Sequence, residues 1–420
     1  MIDYKQEKVK VFLLAIHLKS NPMEGTLDSL REMESLATTM DFDVIGQDYQ
    51  SRATPHPKSY IGTGKLSDIK QIVKQHKIDL VLFDHELSPN QGKFLEEILD
   101  CMVWDRTQLI LEIFVSHAKT PESKNQVELA QMKYMLPRLV GMWAHLDRET
   151  GGINASRGTG EKQIAIDRNL IRKRIARLEK SLQKIEKERS VQSKRRSSCF
   201  QVGVVGYTNA GKTSLINRLT GAELLTEDKL FATLESTTRI LNNAANPKIL
   251  ISDTVGFIRN LPHNLIASFR STLSVVKDAD LLLHVVDASH PNVEQHIETT
   301  YQVLEEIGAA DVQRLLVLNK MDLIPEQMDR MILEKNYPLG IPISVLESTA
   351  IDQLVDEVQG YFAKSYIKDN IVLPYNKSDL LSRFYQLGTV ESVQYDEDGI
   401  HIAHAIPQFN QKILANLLKS

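Results

Sequence analysis

The stretch FQVGVVGYTNAGKTS, residues 200–214, decides the fold, because it reads as a buried β-strand followed by a glycine-rich turn and the start of a helix. Residues 206–213 fit the pattern G-x-x-x-x-G-K-[ST] in the strand-to-helix context that makes this pattern specific. The glycines let backbone N–H groups approach phosphate oxygens, and the helix N-terminus adds partial positive charge. The predicted phosphate-binding loop comprises Gly206, Tyr207, Thr208, Asn209, Ala210, Gly211, Lys212, Thr213 and Ser214.

Four side chains or backbone groups near this loop carry the predicted chemistry. Lys212 is expected to reach the β- and γ-phosphates of a nucleoside triphosphate, and the Thr213 hydroxyl is an expected ligand of Mg²⁺. The apolar run KILISDT ends near Asp253, whose carboxylate would hold Mg²⁺ through water, and the N–H of Gly256 would bond the γ-phosphate. We therefore predict a magnesium cofactor, with Lys212 and Gly256 among the catalytic groups.

The pattern N-K-x-D at residues 319–322 predicts which base is bound. The carboxylate of Asp322 can accept hydrogen bonds from the N1–H and the exocyclic amine of guanine, which adenine cannot match. Because Asn319, Lys320 and Asp322 follow both a phosphate loop and the D-x-x-G pattern at 253–256, GTP is the predicted substrate. Ser344 stands where many GTPases carry Ser-Ala-Lys, and its segment is predicted to contact the guanine oxygen through the backbone. An ATP-using or scaffold protein with a repurposed site is the alternative.

The rest of the chain divides into further predicted domains. Residues 1–118 alternate strand-like and helix-like segments, with a second short strand starting at Asp43–Ile45, which favours an α/β domain with a mostly parallel sheet. Residues 119–197 predict a long antiparallel helical hairpin, residues 198–367 a doubly wound phosphate-loop domain, and residues 368–420 a small α+β domain. In this last part the predicted order is strand–helix–strand–strand–helix, with a hairpin turn at residues 397–399. The predicted fold class is therefore α/β with these four parts.

The hairpin prediction rests on a seam of apolar residues and on the glycine-rich stretch GGINASRGTGEK at 151–162, read as a flexible tip. The spacing of the seam is of coiled-coil type. Between Asp167 and Arg196 the second helix carries twelve Lys/Arg and four Asp/Glu, a net charge of +8. Either this is the solvated face of a coiled coil or it is an electrostatic footprint for RNA phosphates. The seam residues are Ile171, Ile175, Leu178, Leu182 and Ile185.

Composition excludes several classes of protein. The 50 Lys/Arg against 54 Asp/Glu give a net charge of −4, so any contact with nucleic acid must come from a local patch. Cys101 and Cys199 are too few for a disulfide framework. No apolar run is long enough to span a membrane, and the N-terminal residues lack the apolar core of a signal peptide. We expect a cytoplasmic protein without a membrane span.

These motifs in this order resemble the HflX family of translation-associated GTPases, and the resemblance covers nearly the whole chain. YIGTGK at residues 60–65, DRT at 105–107 and QVELAQMKYMLPRL at 126–139 look like family motifs. The stretch from Gly151 to Arg168 is similar to the family's glycine-rich tip. In the third domain, FATLESTTR looks like the first switch segment and DTVGFI like the second.

The resemblance implies a ribosome-associated GTPase that binds the large subunit and its rRNA and splits or rescues stalled ribosomes. It implies that Phe231 and Thr233 contribute to the nucleotide site, with Thr233 closing on Mg²⁺ and taking part in catalysis; Thr237 and Thr238 are alternatives. It places the hairpin tip near the peptidyl-transferase region. We expect a monomer, and the implied RNA contacts are Arg157, Gly158 and Gly160.

Three questions stay open at the level of sequence. Phe257 occupies the position of the glutamine that orients the attacking water in Ras-like GTPases. One interpretation is that hydrolysis needs a group or rearrangement supplied by the ribosome. The other is that Phe257 is a core anchor, and the two interpretations are compatible. Asn209 is typical of GTPases that use K⁺ but is also a good turn residue. Gly62 and Gly64 favour a structural turn over a second nucleotide site. The alternative function is an RNA-binding, ribosome-assembly or RNA-remodelling factor in which GTP is only a conformational switch.

Overall fold

The computed structural model describes residues 8–20, 22–139, 157–195, 199–221, 230–231, 233–234, 236–241, 247–259 and 270–419. The chain forms two compact units, which are described separately below. The first unit comprises Met1–Lys184, Asp228–Leu234 and Asn260–Phe269. The second unit comprises Ile185–Glu227, Glu235–Arg259 and Arg270–Ser420. The predicted domain boundaries at residues 118, 197 and 367 stay predictions.

The first unit contains a parallel four-stranded sheet of order β2-β1-β3-β4. Residues 11–16 of the central strand are all buried, which is typical of a parallel strand covered on both faces. The strands are β1 (Lys10–Leu18), β2 (Asp43–Arg52), β3 (Leu80–Phe83) and β4 (Met102–Asp105). The helices are α1 (Met23–Thr39), α2 (Thr63–His76), α3 (Pro89–Leu99), α4 (Arg106–His117), α5 (Pro121–Met135) and α6 (Arg157–Arg195).

Two strands of this sheet differ from the sequence prediction. The second strand was predicted to start at Asp43–Ile45 and to be short, whereas β2 continues to Arg52, with alternately exposed and half-buried residues, as suits an edge strand. The edge strand β4 was not predicted, because four residues are too few to show a period.

The helix α6 begins earlier than predicted. Arg157 to Lys162, expected in a glycine-rich loop, form its first turns, since strong helix formers follow the two glycines. The predicted seam is the least exposed face of α6, with Leu178 and Leu182 buried. Residues 140–156 lie outside the described residues, so the hairpin that they would close stays a prediction.

Ion pairs join α5 to α6. The Arg174 guanidinium donates to both carboxylate oxygens of Glu128 at 2.6 and 2.7 Å, and Lys133 Nζ lies 2.8 Å from a Glu179 oxygen. Both pairs advance in the same direction along the two helices, which is the order expected of parallel helices, so these contacts differ from the predicted antiparallel arrangement.

The second unit contains a six-stranded sheet of order β10-β9-β8-β5-β7-β6, parallel except for the pair β6–β7. The predicted α/β architecture with a mostly parallel sheet is confirmed. The strands are β5 (Phe200–Val205), β6 (Thr238–Ile240), β7 (Ile249–Ser252), β8 (Leu281–Asp287), β9 (Arg314–Asn319) and β10 (Ile341–Pro342). The helices are α7 (Lys212–Thr220), α8 (Arg270–Lys277), α9 (Val293–Glu306), α10 (Gln327–Asn336) and α11 (Ile351–Ala363).

The end of the chain forms a three-stranded antiparallel sheet of order β11-β13-β12. The predicted hairpin at residues 397–399 joins β12 (Thr389–Asp396) to β13 (Gly399–Pro407), and β11 covers Tyr366–Leu373. The helices α12 (Leu381–Leu387) and α13 (Gln411–Lys419) complete the predicted order of elements. Among the residues that the structure describes, no helix is long and apolar enough to cross a membrane.

A buried ion-pair network ties α4 to the rest of the first unit. The Arg106 side chain is 2% exposed, donates to Asp84 at 2.9 Å, and is also paired with Glu32. Removing the cation would leave these carboxylates in a buried site without their partner, a change that typically costs about 3–5 kcal/mol.

We therefore expect Arg106→Met to lower the free energy of unfolding of the first unit by about 3 kcal/mol or more. The measurement is urea unfolding followed by circular dichroism. Arg31→Met is the matched control, because Arg31 is 69% exposed and its pair with Asp28 should contribute less than about 1 kcal/mol. Equal effects of the two substitutions would contradict the assignment.

Candidate nucleotide-binding site

The loop between β5 and α7 has a backbone shape that only glycine permits at its two ends. Gly206 has φ +147°, and a Cβ there would lie 2.1 Å from the Val285 carbonyl oxygen. Gly211 has φ +91°, and a Cβ there would lie 2.3 Å from Nδ2 of Asn319. The loop therefore keeps its backbone within close reach of the neighbouring strand ends, with the N-terminus of α7 directly behind it.

The ammonium group of Lys212 is buried inside this loop. Its Nζ donates to the carbonyl oxygens of Gly206 at 3.1 Å and Tyr207 at 2.7 Å. Burial lowers the pKa of Lys212 to about 8, and the nearby carboxylate of Asp253 partly opposes this shift. The backbone of Gly256 lies against the amine, since a Cβ there would be 3.0 Å from Nζ. The site thus holds a cation that an arriving anion would stabilise.

Thr213 and Asp253 form a pair of oxygen ligands. The Thr213 hydroxyl donates to Oδ2 of Asp253 at 2.9 Å. Asp253 follows β7, is fully buried, and its Oδ1 accepts from the N–H of Thr254 at 2.9 Å. A hydroxyl and an oriented carboxylate are the hard oxygen donors that Mg²⁺ prefers, so these residues fit a magnesium site.

Asn319 fastens three segments together at the ends of the strands. Its Nδ2 donates to the Ala210 carbonyl of the loop at 2.9 Å, and its Oδ1 accepts from the N–H of Val345 at 3.2 Å. The predicted base-reading residues are therefore fixed to the phosphate loop through a buried amide.

The neighbouring polar side chains are also paired. The Ser344 hydroxyl donates to Oδ1 of Asp322 at 2.6 Å, and Lys320 Nζ lies 2.7 Å from Oδ2 of Asp287. Ser344 therefore orients a carboxylate with its side chain, a contact that the sequence prediction, which invoked only the backbone, did not include. Asp287 was also missed, because nothing in its local sequence marks it as a partner.

Most predicted site residues gather at one edge of the second unit, where the carboxyl ends of the parallel strands meet. These are the loop residues 206–214 together with Asp253, Gly256, Asn319, Lys320, Asp322 and Ser344. Asn209 adopts the left-handed conformation with φ 59°, which supports the turn alternative; the K⁺ alternative stays a prediction.

The other predicted residues lie in the first unit. Phe231 is buried against Phe114, with ring centroids 4.8 Å apart, and the preceding Leu230 N–H donates to Oγ1 of Thr39 at 3.3 Å. Thr233 is half-buried. The proposed RNA contacts Arg157, Gly158 and Gly160 lie in the first turns of α6, where side chains are outside the described part of the chain. The ligand roles of these residues stay predictions.

Phe257, in the segment predicted to be the second switch, is anchored in the core of the second unit. It is 1% exposed, its N–H donates to the Gly206 carbonyl at 3.1 Å, and its carbonyl accepts from the Thr208 N–H at 2.8 Å. The core-anchor interpretation is therefore confirmed, and this interpretation is compatible with a need for an outside group in hydrolysis.

Three family models match the chain in succession. The model described as GTP-binding GTPase N-terminal matches residues 27–115, and that described as GTP-binding GTPase Middle Region matches residues 117–196. The model described as 50S ribosome-binding GTPase matches residues 201–320, which include the phosphate loop and end at Lys320.

Curated relatives cover most of the chain. The protein named GTPase HflX from Escherichia coli (strain K12) is 42% identical over 378 residues, 89% of this chain and 88% of its own length. GTPase HflX from Caldanaerobacter subterraneus subsp. tengcongensis is 40% identical over 404 residues, 96% of this chain and 92% of its own. A crystal structure of a GTP-binding protein from Sulfolobus solfataricus in complex with GDP is 28% identical, covering 84% of this chain and 98% of that one with a TM-score of 0.44. Given curated relatives of this identity over nearly their full length, the chain belongs to the HflX family of GTPases.

Proposed function

We propose that this chain binds and hydrolyses GTP at the edge of the six-stranded sheet and acts on the large ribosomal subunit, where it splits or rescues stalled ribosomes. The observation that carries the GTP assignment is the buried amine of Lys212 inside a loop that Asn319 fastens to the segment bearing Asp322. An anion stabilises a buried cation, and the phosphates of a nucleotide would supply it. The carboxylate of Asp322, in the segment that follows β9, can accept hydrogen bonds from the N1–H and the amine of guanine.

Each residue of the site has a proposed role. Lys212 leaves the two carbonyls that it now contacts and pairs with the β- and γ-phosphates. The N–H of Gly256 donates to the γ-phosphate, and Asp322, oriented by the Ser344 hydroxyl, accepts from the guanine N1–H and amine. The remaining loop residues cradle the phosphates with backbone N–H groups.

Magnesium would be held by Thr213 and Asp253, with Thr233 as the third protein group once the first switch segment closes. The bound ion would neutralise part of the negative charge that the phosphate oxygens carry during hydrolysis. The hydrogen bond between Thr213 and Asp253 keeps both oxygens on the same side of the loop, so the pair is preorganised.

Hydrolysis in the free protein should be slow. Phe257 cannot orient a water molecule, and its side chain is enclosed. We therefore propose that the ribosome supplies a group or rearrangement that completes the site. The basic helix α6 provides the contact with rRNA, because its net charge of +8 between Asp167 and Arg196 contrasts with a chain whose total charge is −4.

The base assignment predicts a change of specificity in Asp322→Asn. The loss of charge-assisted hydrogen bonds should weaken GTP binding by about 10- to 100-fold and favour xanthosine triphosphate, whose base carries an oxygen in place of the amine. Competition titrations with both nucleotides measure this. Asp329→Asn, an exposed carboxylate on α10, is the control. Unchanged GTP affinity in Asp322→Asn would exclude the guanine assignment.

The pKa of Lys212 predicts a pH dependence of nucleotide affinity. Phosphate binding favours the charged amine, whereas the free site loses its proton as pH rises through about 8. Affinity for GDP should therefore be fully present below pH 8 and decrease above it, by up to about tenfold per pH unit. Calorimetry at pH 8–9 should show proton uptake on binding.

The matched control for this pH profile is Lys212→Arg, which keeps a positive charge that does not titrate in this range. Titration of the guanine base or of the phosphates affects both proteins alike, so the difference between the two profiles reports the amine. A wild-type profile as flat as that of the arginine variant, without proton uptake, would show that the buried amine is not the titrating group.

Large ribosomal subunits should accelerate hydrolysis. We expect single-turnover rates to rise by about tenfold or more, since groups supplied in trans raise GTPase rates by ~10³ to 10⁵ in favourable cases. Lys173→Glu, Arg177→Glu and Lys180→Glu, combined on the exposed face of α6, should abolish the stimulation and reduce the salt dependence of subunit binding. The rate without subunits should not change.

The control for the charge variant carries three reversals elsewhere, at Lys74, Lys335 and Lys412, all of which are exposed. It should keep the stimulation. Equal rates with and without subunits in the wild type would contradict the ribosomal part of the proposal. Binding without stimulation or splitting would favour the alternative of an RNA-remodelling factor.

A further inference from the structure

Three aromatic rings lie in a row beside the phosphate loop. The ring of Tyr207, the second residue of the loop, stacks on His296 of α9 with centroids 3.8 Å apart and an interplanar angle of 7°. The ring of His296 in turn lies 4.3 Å from that of His290, tilted by 34°. Tyr207 is 5% exposed and His296 is 7% exposed, so the inner stack is closed to solvent. All three residues belong to the second unit.

Tyr207 touches the catalytic machinery at both of its ends. Its backbone carbonyl accepts the hydrogen bond from Lys212 Nζ at 2.7 Å. Its side-chain oxygen accepts from the backbone N–H of Arg259 at 2.8 Å, in the segment that follows Gly256. The backbone around Tyr207 also pairs with Phe257 in a parallel bridge. One side chain therefore links the loop amine to the second switch segment.

The stack restricts how this link can move. Two χ angles place the Tyr207 ring, and a face-to-face partner at 3.8 Å opposes rotation about both. The partner itself is fixed, because His296 projects from the first turns of α9 and is enclosed. Aromatic pairs of this kind change equilibrium or rate constants by about 2- to 12-fold beyond the effect of burial.

We propose that His296 is a positioning residue for GTP hydrolysis, acting through the Tyr207 ring to hold the phosphate loop and the second switch segment in register. This inference rests on the proposed function. The Tyr207 residue contacts Lys212 and the segment after Gly256, and these groups are assigned to the γ-phosphate. GDP lacks the γ-phosphate. The stack should therefore affect the rate of hydrolysis more than the affinity for GDP.

The test compares His296→Leu with His296→Phe. Leucine keeps apolar bulk but removes the ring, whereas phenylalanine keeps a ring that can stack on Tyr207. We expect single-turnover hydrolysis at saturating GTP to slow by about 3- to 10-fold in His296→Leu and to stay within about twofold of wild type in His296→Phe. The dissociation constant for GDP should change by less than about threefold in both. His290→Leu, at the outer end of the row, is the control and should behave as wild type.

A double-mutant cycle shows whether the effect passes through Tyr207. Tyr207→Phe removes the acceptor of the Arg259 N–H, and in the combination with His296→Leu the two losses should be less than additive. Thermal melting checks folding; should His296→Leu not fold, His296→Asn against His296→Phe carries the same comparison.

Several results would overturn the proposal. Wild-type rates in His296→Leu would do so, as would equal losses in the leucine and phenylalanine variants, or GDP affinity that falls as much as the rate. A wild-type protein that does not bind or hydrolyse GTP would instead overturn the proposed function, and the inference with it.

Discussion

The buried ammonium group of Lys212 is the constraint on which the rest of the site depends. A cation at 7% exposure is unfavourable unless oxygen atoms surround it, and here two carbonyls of its own loop do so. Those carbonyls can point inwards only if the loop turns back at Gly206, where any side chain would meet the Val285 carbonyl. Gly256 is restricted for a related reason, since its backbone is packed against the amine. Gly206 and Gly256 thus adjoin the buried charge, although a Cβ at Gly256 would also lie 2.9 Å from Cα of Thr208, whereas Gly211 is restricted by the Asn319 side chain.

A second constraint is the side-chain amide of Asn319, in which both the nitrogen and the oxygen form hydrogen bonds. Because Nδ2 binds the loop carbonyl of Ala210 and Oδ1 binds the N–H of Val345, the ends of β5, β9 and β10 share one buried group. Loss of this amide would leave a buried donor and acceptor unpaired, which is costly in a site of low dielectric. The parts assigned to phosphate and to base are therefore joined by hydrogen bonds along one edge of the sheet, and the Ser344–Asp322 hydrogen bond extends this connection.

How much of this was predictable depends on whether the physical cause is local. The loop residues 206–214, Asp253 and Asn319 could be placed from sequence, because strand ends and obligatory glycines are local signals. The polar extension of β2 and the short strand β4 could not be predicted from the sequence, since neither shows apolar periodicity. The partners of Tyr207 were also out of reach. His296 lies in another helix, and nothing in a sequence separates a stacked histidine from an ordinary surface one.

The start of the segment proposed as the first switch makes contacts within the first unit that the nucleotide motifs alone would not suggest. The Leu230 N–H donates to the hydroxyl of Thr39, and the Phe231 ring packs against that of Phe114, all within the first unit. The edge-to-face ring pair and the hydrogen bond from the Leu230 N–H to the Thr39 hydroxyl together correspond to about 1–3 kcal/mol. If Thr233 closes on magnesium as proposed, any displacement of the segment that breaks these contacts must be offset by its new contacts at the metal. A residue changes an equilibrium between two states only when its interactions differ between those states. Because Phe114 contacts the segment in only one of the two positions, a mutation at Phe114 would then shift the equilibrium between them although Phe114 does not contact the nucleotide.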